Sequence, residues 1–375
     1  MKILHIITGD LWAGAEAQVF YCLKEMSNES KDTIYVILFS KGELYLRLTK
    51  IGITTTIVDE SEYSIVTQFI KLKRQLLSIK PDIVHVHDYK THVLTSLALY
   101  FTQTSPKMVR TVHGLTRIPL NSKIVKSYLV FFIENYFFNH CLDCIVAVSQ
   151  DIETLFKHKY PHTKIVQINN AIEYPLIAIN APAQIRKEFS VPNDVLWIGT
   201  AARCVRVKNI QMLIEAARLT RDLKQDIKFM VSIFGDGPLR SHLENLIGQY
   251  DLQNIVQMHG HSKDILSIMK AFDVFVLTSK HEGLPISLLE AMALGTVPIC
   301  TRVGGMQEII ENSKNGFLVE LNNAPALAQK IIYLYDHPNQ RKIIGINAES
   351  RVKEHYSIQK SVQKLLSMYC KIVED

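Results

Sequence analysis

Short apolar runs alternate with amphipathic segments along the whole chain. The runs are rich in Val and Ile and do not alternate cleanly between apolar and polar positions, which is typical of parallel strands covered on both faces. In the first half we predict strands at Lys2–Ile7, Thr33–Phe39, Thr54–Val58, Asp82–His87, Lys107–Val112, Asp143–Val148 and Lys164–Ile168. Amphipathic helices are predicted between them, for example at Ser64–Ile79 and Asn121–His140.

A second series of the same kind follows residue 194. Its strands are predicted at Val195–Ala201, Ile227–Phe234, Asn254–His259, Val274–Thr278, Val297–Cys300 and Gly316–Val319. Its helices are predicted at Asn209–Thr220, Leu239–Gln249, Lys263–Ala271 and Pro285–Leu294, and the tail from Ala324 to Val373 is predicted to be helical. The segment Asn169–Asp194 between the two series has three prolines and no strong period, so we predict a linker there.

The length of 375 residues exceeds what one hydrophobic core usually organises. The patterns therefore predict an α/β protein with two doubly wound, Rossmann-like domains that face each other across a ligand cleft at the carboxyl ends of their strands. We place the first domain at residues 1–172, the linker at 173–194 and the second domain at 195–355. Residues 356–375 are predicted to form a helix that packs back on the first domain.

The composition argues against several classes of function. The net charge of +6 suits anionic ligands but is too small and scattered for a nucleic-acid surface. Six cysteines, mostly in apolar stretches, predict a reducing, cytoplasmic setting, and the Cys141–Cys144 pair lacks the second pair of a zinc site. No run approaches the roughly 18 apolar residues of a membrane span. The aromatic segment Ser127–Phe138 is either a buried helix or a face that touches the membrane or a lipid-linked substrate.

The stretch HEGLPISLLEAMALGTVPIC, at residues 281–300, carries two glutamates. Glu282 and Gly283 are predicted at a helix N-terminus just beyond a strand, where free backbone N–H groups bind phosphate or hydroxyl oxygens. Pro285 suits the first helical turn, and Gly295 suits the C-cap. Glu290 is predicted to be buried inside an apolar helix, where its carboxylate needs either a cation or a ligand hydroxyl as a partner.

Three other loops of the second half follow predicted strands. They are FGDGPLR (residues 234–240), VGGMQEII (residues 303–310) and AARCVRVKN (residues 201–209). The first two supply glycine turns. The third supplies Arg203, Arg206 and Lys208, which either bind a diphosphate or form a solvated basic turn.

The first half has weaker signals. Its first loop, at residues 8–18, matches neither the dinucleotide fingerprint nor the phosphate-binding P-loop. His85 and His87 point the same way from one strand, but a metal site would need a third ligand, and none lies nearby in sequence. His113 is either a hydrogen-bonding group at the cleft or a satisfied core histidine.

The stretch HEGLPISLLEAMALGTVPICTRVGGMQEII, followed by NGFLV, resembles the retaining family-4 (group 1) glycosyltransferases, which have the GT-B fold. Glu282 and Glu290 match the E-x7-E pair of that family, and FGDGPLR, Arg203 and Lys208 match its second domain. The match is thinner in the first half, at AGAE, PDIVHVHD, TVHG and VAVS. The resemblance implies an acceptor-binding first domain and a second domain that binds a nucleotide sugar.

The resemblance also implies roles for single residues. The catalytic set would be His113, Glu282, Arg203 and Lys208. The donor-binding set would be Gly14, Gly235, Asp236, Gly237, Gly283, Leu284, Pro285 and Glu290. His113 would contact the sugar, Glu290 the ribose hydroxyls, and the two cations would neutralise the leaving diphosphate without a metal ion or cofactor.

The resemblance thus implies transfer of a sugar from a nucleotide diphosphosugar to a glycan or lipid-linked acceptor, in polysaccharide or glycoconjugate biosynthesis. Two alternatives stay open: a sugar-nucleotide epimerase of the same fold, and a non-catalytic protein that binds nucleotide sugars. We expect no nucleic-acid partner. We expect a cytoplasmic protein. Contact with the inner face of the cell membrane is a weaker hypothesis that rests on mild basicity, on the basic segment Lys71–Arg74 and on the aromatic segment.

Overall fold

The protein is seen here in a computed structural model, which describes residues 1–10, 12–102, 104–114, 135–174 and 180–374. It divides into two compact units, Met1–Ala171 with Ile358–Asp375, and Ile172–Ser357. Both units are α/β with parallel sheets, as predicted. Every predicted strand is present, with ends that differ from the prediction by at most two residues.

The first unit contains a seven-stranded sheet in the order β3-β2-β1-β4-β5-β6-β7. Its strands are β1 (Lys2–Ile7), β2 (Thr33–Leu38), β3 (Thr54–Ile57), β4 (Ile83–Val86), β5 (Lys107–Val112), β6 (Cys144–Ala147) and β7 (Lys164–Gln167). Its helices include α1 (Gly14–Glu29), α2 (Glu43–Lys50), α3 (Ile65–Ile79), α4 (Tyr89–Thr102) and α5 (Gln150–Lys159). The strand order changes direction between β1 and β4, and such a switch point opens a crevice at the carboxyl ends of the strands.

The second unit contains a six-stranded sheet in the order β10-β9-β8-β11-β12-β13, whose switch point lies between β8 and β11. Its strands are β8 (Leu196–Ala201), β9 (Phe229–Phe234), β10 (Val256–Gly260), β11 (Val274–Leu277), β12 (Val297–Thr301) and β13 (Phe317–Val319). Its helices are α6 (Pro182–Glu188), α7 (Ile210–Leu223), α8 (Arg240–Gln249), α9 (Ile265–Ala271), α10 (Ile286–Ala293), α11 (Met306–Ile309), α12 (Ala324–Asp336) and α13 (Pro338–His355).

Burial explains the sequence pattern. Every residue of β4, β6 and β11 is buried, so these strands have no polar face to alternate with an apolar one. The helical tail is broken where Pro338 starts a new helix, since proline has no N–H to continue the previous one. The chain then returns to the first unit with α14 (Ile358–Glu374), where the Ser361 hydroxyl donates to the Asn169 carbonyl at 3.1 Å.

Two predicted features fall largely outside the residues that the structure describes. They are the helix at Asn121–His140 and the aromatic segment Ser127–Phe138, and the part of them that is described, at residues 135–140, is helical.

The predicted linker, residues 173–194, is counted in the second unit and contains α6. Among the described residues, no helix combines the length and the apolar character needed to cross a bilayer.

Candidate functional site

The loops after β8 and β11 meet at the switch point of the second unit. Lys208 lies in the first loop and Glu282 in the second, and Nζ of Lys208 lies 2.5 Å from Oε1 of Glu282. The Ser279 hydroxyl donates to the same carboxylate oxygen at 2.6 Å. The Lys208 and Glu282 side chains are 21% and 11% exposed, so the pair is partly shielded from water yet reachable by a ligand. The structure thus brings together two of the predicted catalytic residues.

Hydrogen bonds tie these two loops to each other. The Thr278 hydroxyl donates to the Asn209 carbonyl at 2.9 Å and also contacts that of Lys208 at 3.2 Å. The Lys280 backbone N–H donates to the Val207 carbonyl at 2.7 Å. The position of the Lys208 backbone is therefore fixed from the far side of the switch point, and sequence reasoning missed the roles of Thr278 and Ser279.

Glycines allow the neighbouring loops to pack directly on this pair. Gly304, with φ +52°, follows β12, and a Cβ there would lie 1.9 Å from the Glu282 carbonyl oxygen. The next glycine, Gly305, donates its N–H to the Gly283 carbonyl at 2.7 Å. On the other side Gly235, with φ +127°, lies so close to Ala202 that a Cβ would be 2.1 Å from its carbonyl oxygen. The predicted glycine turns therefore hold four strand-end loops in one continuous rim.

Helix α10 starts one residue later than predicted. Pro285 is its N-cap rather than part of its first turn, and it has no side-chain capping hydrogen bond. Gly295, with φ +78°, lies just beyond the C-cap Leu294 rather than at it. Its N–H donates to the Met292 carbonyl at 3.0 Å and that of Thr296 to Ala291 at 3.0 Å, which closes the helix as a Schellman motif.

Glu290 is half-buried, so the prediction that its carboxylate is buried is wrong. The reason is its place on α10, where Ser287 and Glu290 are half-buried while the other residues of the helix are buried. The apolar face of α10 covers the sheet, and this one stripe is left accessible. Just before the helix, Gly283, Leu284 and Pro285 are all buried.

The β8 loop carries two further arginines. Arg203 and Arg206 are exposed, and within the described part of the chain the Arg203 side chain makes no ion pair. A cavity of about 390 Å³ opens beside this loop, lined by Val205, Arg206, Asn209, Ile210, Gln211, Leu239, His242, Leu243 and Lys280. Its lining has basic side chains and, among the described residues, no carboxylate, which suits an anionic group.

Asp236 lies in the glycine turn after β9. Its carboxylate accepts from the Gly237 N–H at 2.7 Å and lies 3.7 Å from the Arg240 guanidinium. The turn is locked to the β8 loop, because the Cys204 N–H donates to the Asp236 carbonyl at 2.9 Å. The predicted donor-binding turn thus lies beside the Lys208 loop.

The switch point of the first unit is occupied by histidines. His113 follows β5 and lies 3.2 Å from His87, measured from Nε2 to Nδ1. The other nitrogen of His87, Nε2, lies 2.9 Å from Nδ1 of His5 on β1. His85 bonds instead to Thr111 at 2.7 Å and to the Tyr369 hydroxyl. Sequence reasoning missed His5, although a histidine inside the apolar run of β1 was a visible signal.

These histidines supply the third nitrogen that the sequence could not locate. One nitrogen from each of His5, His85 and His87 lies within 4.8 Å of the others. The ring of His87, however, stacks on that of His85 with centroids 4.4 Å apart and planes 20° apart. A metal lies in the plane of each imidazole that binds it, and two stacked rings do not share such a point. The arrangement therefore favours hydrogen bonding over shared ligation.

Burial keeps the four imidazoles neutral. It lowers the pKa of His5 to about 3 and that of His113 to about 4. The pKa values of His85 and His87 are also lowered well below the ordinary value, first by burial and then by the neighbouring histidines. Neutral rings can donate one hydrogen bond and accept one, so the cluster can act through hydrogen bonds rather than through charge.

The loop after β1 lies beside these histidines. Gly14 is exposed and is the first residue of α1, after the N-cap Ala13. The Thr8 N–H and hydroxyl both donate to the Asp88 carboxylate at 2.9 Å, which joins the loops after β1 and β4. Burial raises the pKa of Glu16 in the first turn of α1.

Comparison with known proteins gives the family. The sequence model for "Glycosyl transferases group 1" matches residues 183–351, and that for "Glycosyltransferase Family 4" matches residues 12–174. The UDP-Gal:alpha-D-GlcNAc-diphosphoundecaprenol alpha-1,3-galactosyltransferase of Escherichia coli is 28% identical over 100% of this chain and 97% of its own length. The capsular polysaccharide biosynthesis glycosyltransferase CapM of Staphylococcus aureus is 28% identical over 77% of each chain.

Solved structures confirm the predicted GT-B fold. HepE of Anabaena, in complex with UDP-glucose, superposes with a TM-score of 0.83 at 20% identity, over 98% of this chain and 100% of its own. A glycosyltransferase from Rickettsia africae gives a TM-score of 0.79 at 25% identity, over 100% of this chain and 99% of its own. With both halves matched by family models, the chain belongs to the group 1 glycosyltransferases.

Proposed function

We propose that the protein transfers a sugar, with retention of configuration and without a metal ion, from a nucleotide diphosphosugar to a glycan or lipid-linked acceptor. The observation that carries the proposal is the Lys208–Glu282 pair at the switch point of the second unit. Ligands of doubly wound sheets bind at such points. The pair joins a cation suited to phosphate to a carboxylate suited to sugar hydroxyls.

Donor binding separates the two charges in this proposal. Lys208 and the exposed Arg203 turn to the diphosphate and stabilise the negative charge that builds on the leaving group. Glu282 is then free to accept hydrogen bonds from sugar hydroxyls. Cationic side chains and helix N-termini can supply the charge that a metal supplies elsewhere, which supports the metal-independent assignment.

Other residues hold the rest of the donor. Glu290 is half-buried and is assigned to the ribose hydroxyls. The backbone of Gly283 and Leu284, next to Pro285, is assigned to sugar and phosphate oxygens. The turn Gly235, Asp236 and Gly237 completes the donor-binding set in the second unit, and the family resemblance adds Gly14 and His113 from the first.

The acceptor is proposed from the relatives. The Escherichia coli galactosyltransferase, which aligns over all of this chain, is named for a GlcNAc-diphosphoundecaprenol acceptor. CapM is named for capsular polysaccharide biosynthesis. These names support a lipid-linked glycan acceptor and a role in surface polysaccharide or glycoconjugate synthesis. Such an acceptor also favours work at the cytoplasmic face of the membrane, through peripheral contact.

The test is transfer from radiolabelled UDP-sugars to a panel of undecaprenyl-diphosphate-linked saccharides, with EDTA present and the anomeric configuration of the product read by NMR. We expect an α-linked product from an α-linked donor, and loss of transfer in Lys208→Ala. An inverted product would overturn retention. Conversion of the donor to an epimer without acceptor would support an epimerase, and tight nucleotide binding with no turnover would support a non-catalytic protein.

A further inference from the structure

Three histidines of the first unit are joined in series. His5 lies on β1, His87 follows β4 and His113 follows β5, which are neighbouring strands of the sheet. Nδ1 of His5 lies 2.9 Å from Nε2 of His87, and Nδ1 of His87 lies 3.2 Å from Nε2 of His113. We call these three residues the histidine chain. Each link joins the δ nitrogen of one ring to the ε nitrogen of the next.

This geometry couples the protonation of the three rings. A neutral imidazole carries one proton, so it donates from one nitrogen and accepts at the other. If His5 donates from Nδ1, His87 must carry its proton on Nδ1 and donate to His113, which then also carries its proton on Nδ1. If the direction is reversed, all three rings carry the proton on Nε2. The histidine chain therefore has two fully hydrogen-bonded arrangements, and all three rings change tautomer together.

The two ends of the histidine chain show which of the two arrangements is favoured. Nε2 of His5 and Nδ1 of His113 are buried atoms that have no hydrogen-bond partner among the described residues. Both atoms are shielded from solvent, but they differ in position. His5 lies inside β1 and is only 1% exposed, whereas His113 is half-buried and follows β5, at the carboxyl end of the sheet where ligands of such sheets bind. An unpaired N–H costs least where a bound ligand can accept from it, so the proton is better placed at the His113 end, which requires all three rings to carry it on Nδ1.

We propose that the histidine chain makes His113 a neutral hydrogen-bond donor at Nδ1, directed at an oxygen of the bound substrate, and that His5 and His87 are positioning residues for it. The proposal rests on the assignment of His113 to the substrate given above. A sugar hydroxyl or a phosphate oxygen can accept this bond. His85 stands beside the chain, stacked on His87 but bonded to Thr111 and Tyr369, so it takes no part in the proton order.

The first experiment needs no substrate. The full-length protein, labelled with ¹⁵N in histidine, is studied by NMR at pH 7.5, where nitrogen shifts identify which ring nitrogen carries the proton. We expect Nδ1–H in His5, His87 and His113. The proposal would be overturned by a mixture of tautomers in the histidine chain, by a positively charged ring in it, or by stoichiometric zinc that EDTA removes.

The second experiment separates positioning from packing. His5→Phe keeps a ring but removes the first donor, and we expect mixed tautomers in His113 and about a tenfold loss of kcat/KM, the size of one hydrogen bond. His5→Asn keeps an amide near the Nδ1 position and is expected to restore most of the activity and the His113 tautomer. His85→Phe is the control, because it alters a buried neighbour and should leave His113 in the Nδ1–H form.

The outcomes separate this proposal from the proposed function. If the wild-type protein transfers no sugar but the histidine chain shows the expected tautomers, the proposed function is wrong and the proposed order of protons is still correct. If His5→Phe and His5→Asn lose activity equally while the His113 tautomer stays unchanged, the positioning role is wrong, whatever the reaction is.

Discussion

Lys208 and Glu282 are 74 residues apart in sequence, yet their side chains meet at 2.5 Å across the switch point of the second unit. Each side chain is the charged partner of the other. In the proposed function the donor has to replace this contact, so Lys208 and Glu282 must bind the diphosphosugar more strongly than they bind each other.

Lys208→Ala removes the cation assigned to the diphosphate. We expect kcat/KM to fall by about 100-fold or more, because one preorganised group that stabilises the leaving charge contributes on that scale. The measurement is steady-state transfer from a UDP-sugar. Lys224→Ala is the matched control, since Lys224 also forms an ion pair, at 3.3 Å with Asp336, but on another part of the surface. Equal activity in the two variants would contradict the assignment.

Glu282→Gln keeps the size of the side chain and a hydrogen-bond partner for Ser279, but removes the charge that holds Lys208. We expect Lys208 to bind nucleotide diphosphate at least as tightly, because its competitor is neutral, while sugar transfer falls. Calorimetry with UDP and with a UDP-sugar measures both effects. Weaker UDP binding together with normal transfer would show that Glu282 serves only to hold the lysine.

Gly304→Ala places a methyl group 1.9 Å from the Glu282 carbonyl oxygen, at a position where φ is +52°. Backbone atoms cannot yield as a flexible side chain can, so we expect a loss of about 2 kcal/mol or more in unfolding free energy and displacement of the Glu282 loop. Gly248→Ala is the control, because its nearest atom would be Gln253 Nε2 at 3.7 Å and alanine favours the helix. Urea unfolding of the two variants checks this, and equal stability would contradict the close packing.

Acid should destabilise the first unit through its buried histidines. The pKa is lowered to about 3 for His5 and about 4 for His113, whereas an unfolded histidine titrates near 6.5. Below pH about 6.5 the unfolded chain takes up protons that the folded chain does not, so the unfolding free energy falls as pH falls. Each such histidine should remove about 1.4 kcal/mol per pH unit between roughly pH 6 and pH 4.

Trp12 fluorescence in a Trp197→Phe background reports unfolding of the first unit, because Trp12 stacks on Arg47 there. Urea midpoints at pH 7.5, 6.0 and 5.0 give the slope. His113→Asn should reduce the slope by about one proton. A stability that does not change between pH 7.5 and 5.0 would show that the histidines charge without cost in the folded state.

The sequence by itself determined the strands, the order of the loops and the glutamate pair. Burial on both faces makes each parallel strand a short apolar run, and this local pattern survives in one dimension. Glu282 and Lys208 could be singled out as candidate site residues because each lies in a loop just after a predicted strand. Glu290 was correctly placed on its helix but expected to be buried, since the periodicity of an apolar helix does not show which narrow stripe the sheet leaves uncovered.

Only the tertiary structure decided which of these loops meet. The strand order brings β11 beside β8 and β4 beside β1, and no local pattern encodes that order. It pairs Lys208 with Glu282, adds Ser279 to the same carboxylate, and brings His5 to His87 across 82 residues of sequence. The physical reason is that hydrophobic periodicity reports burial residue by residue, whereas a site is made by contacts between loops that only the completed sheet places side by side.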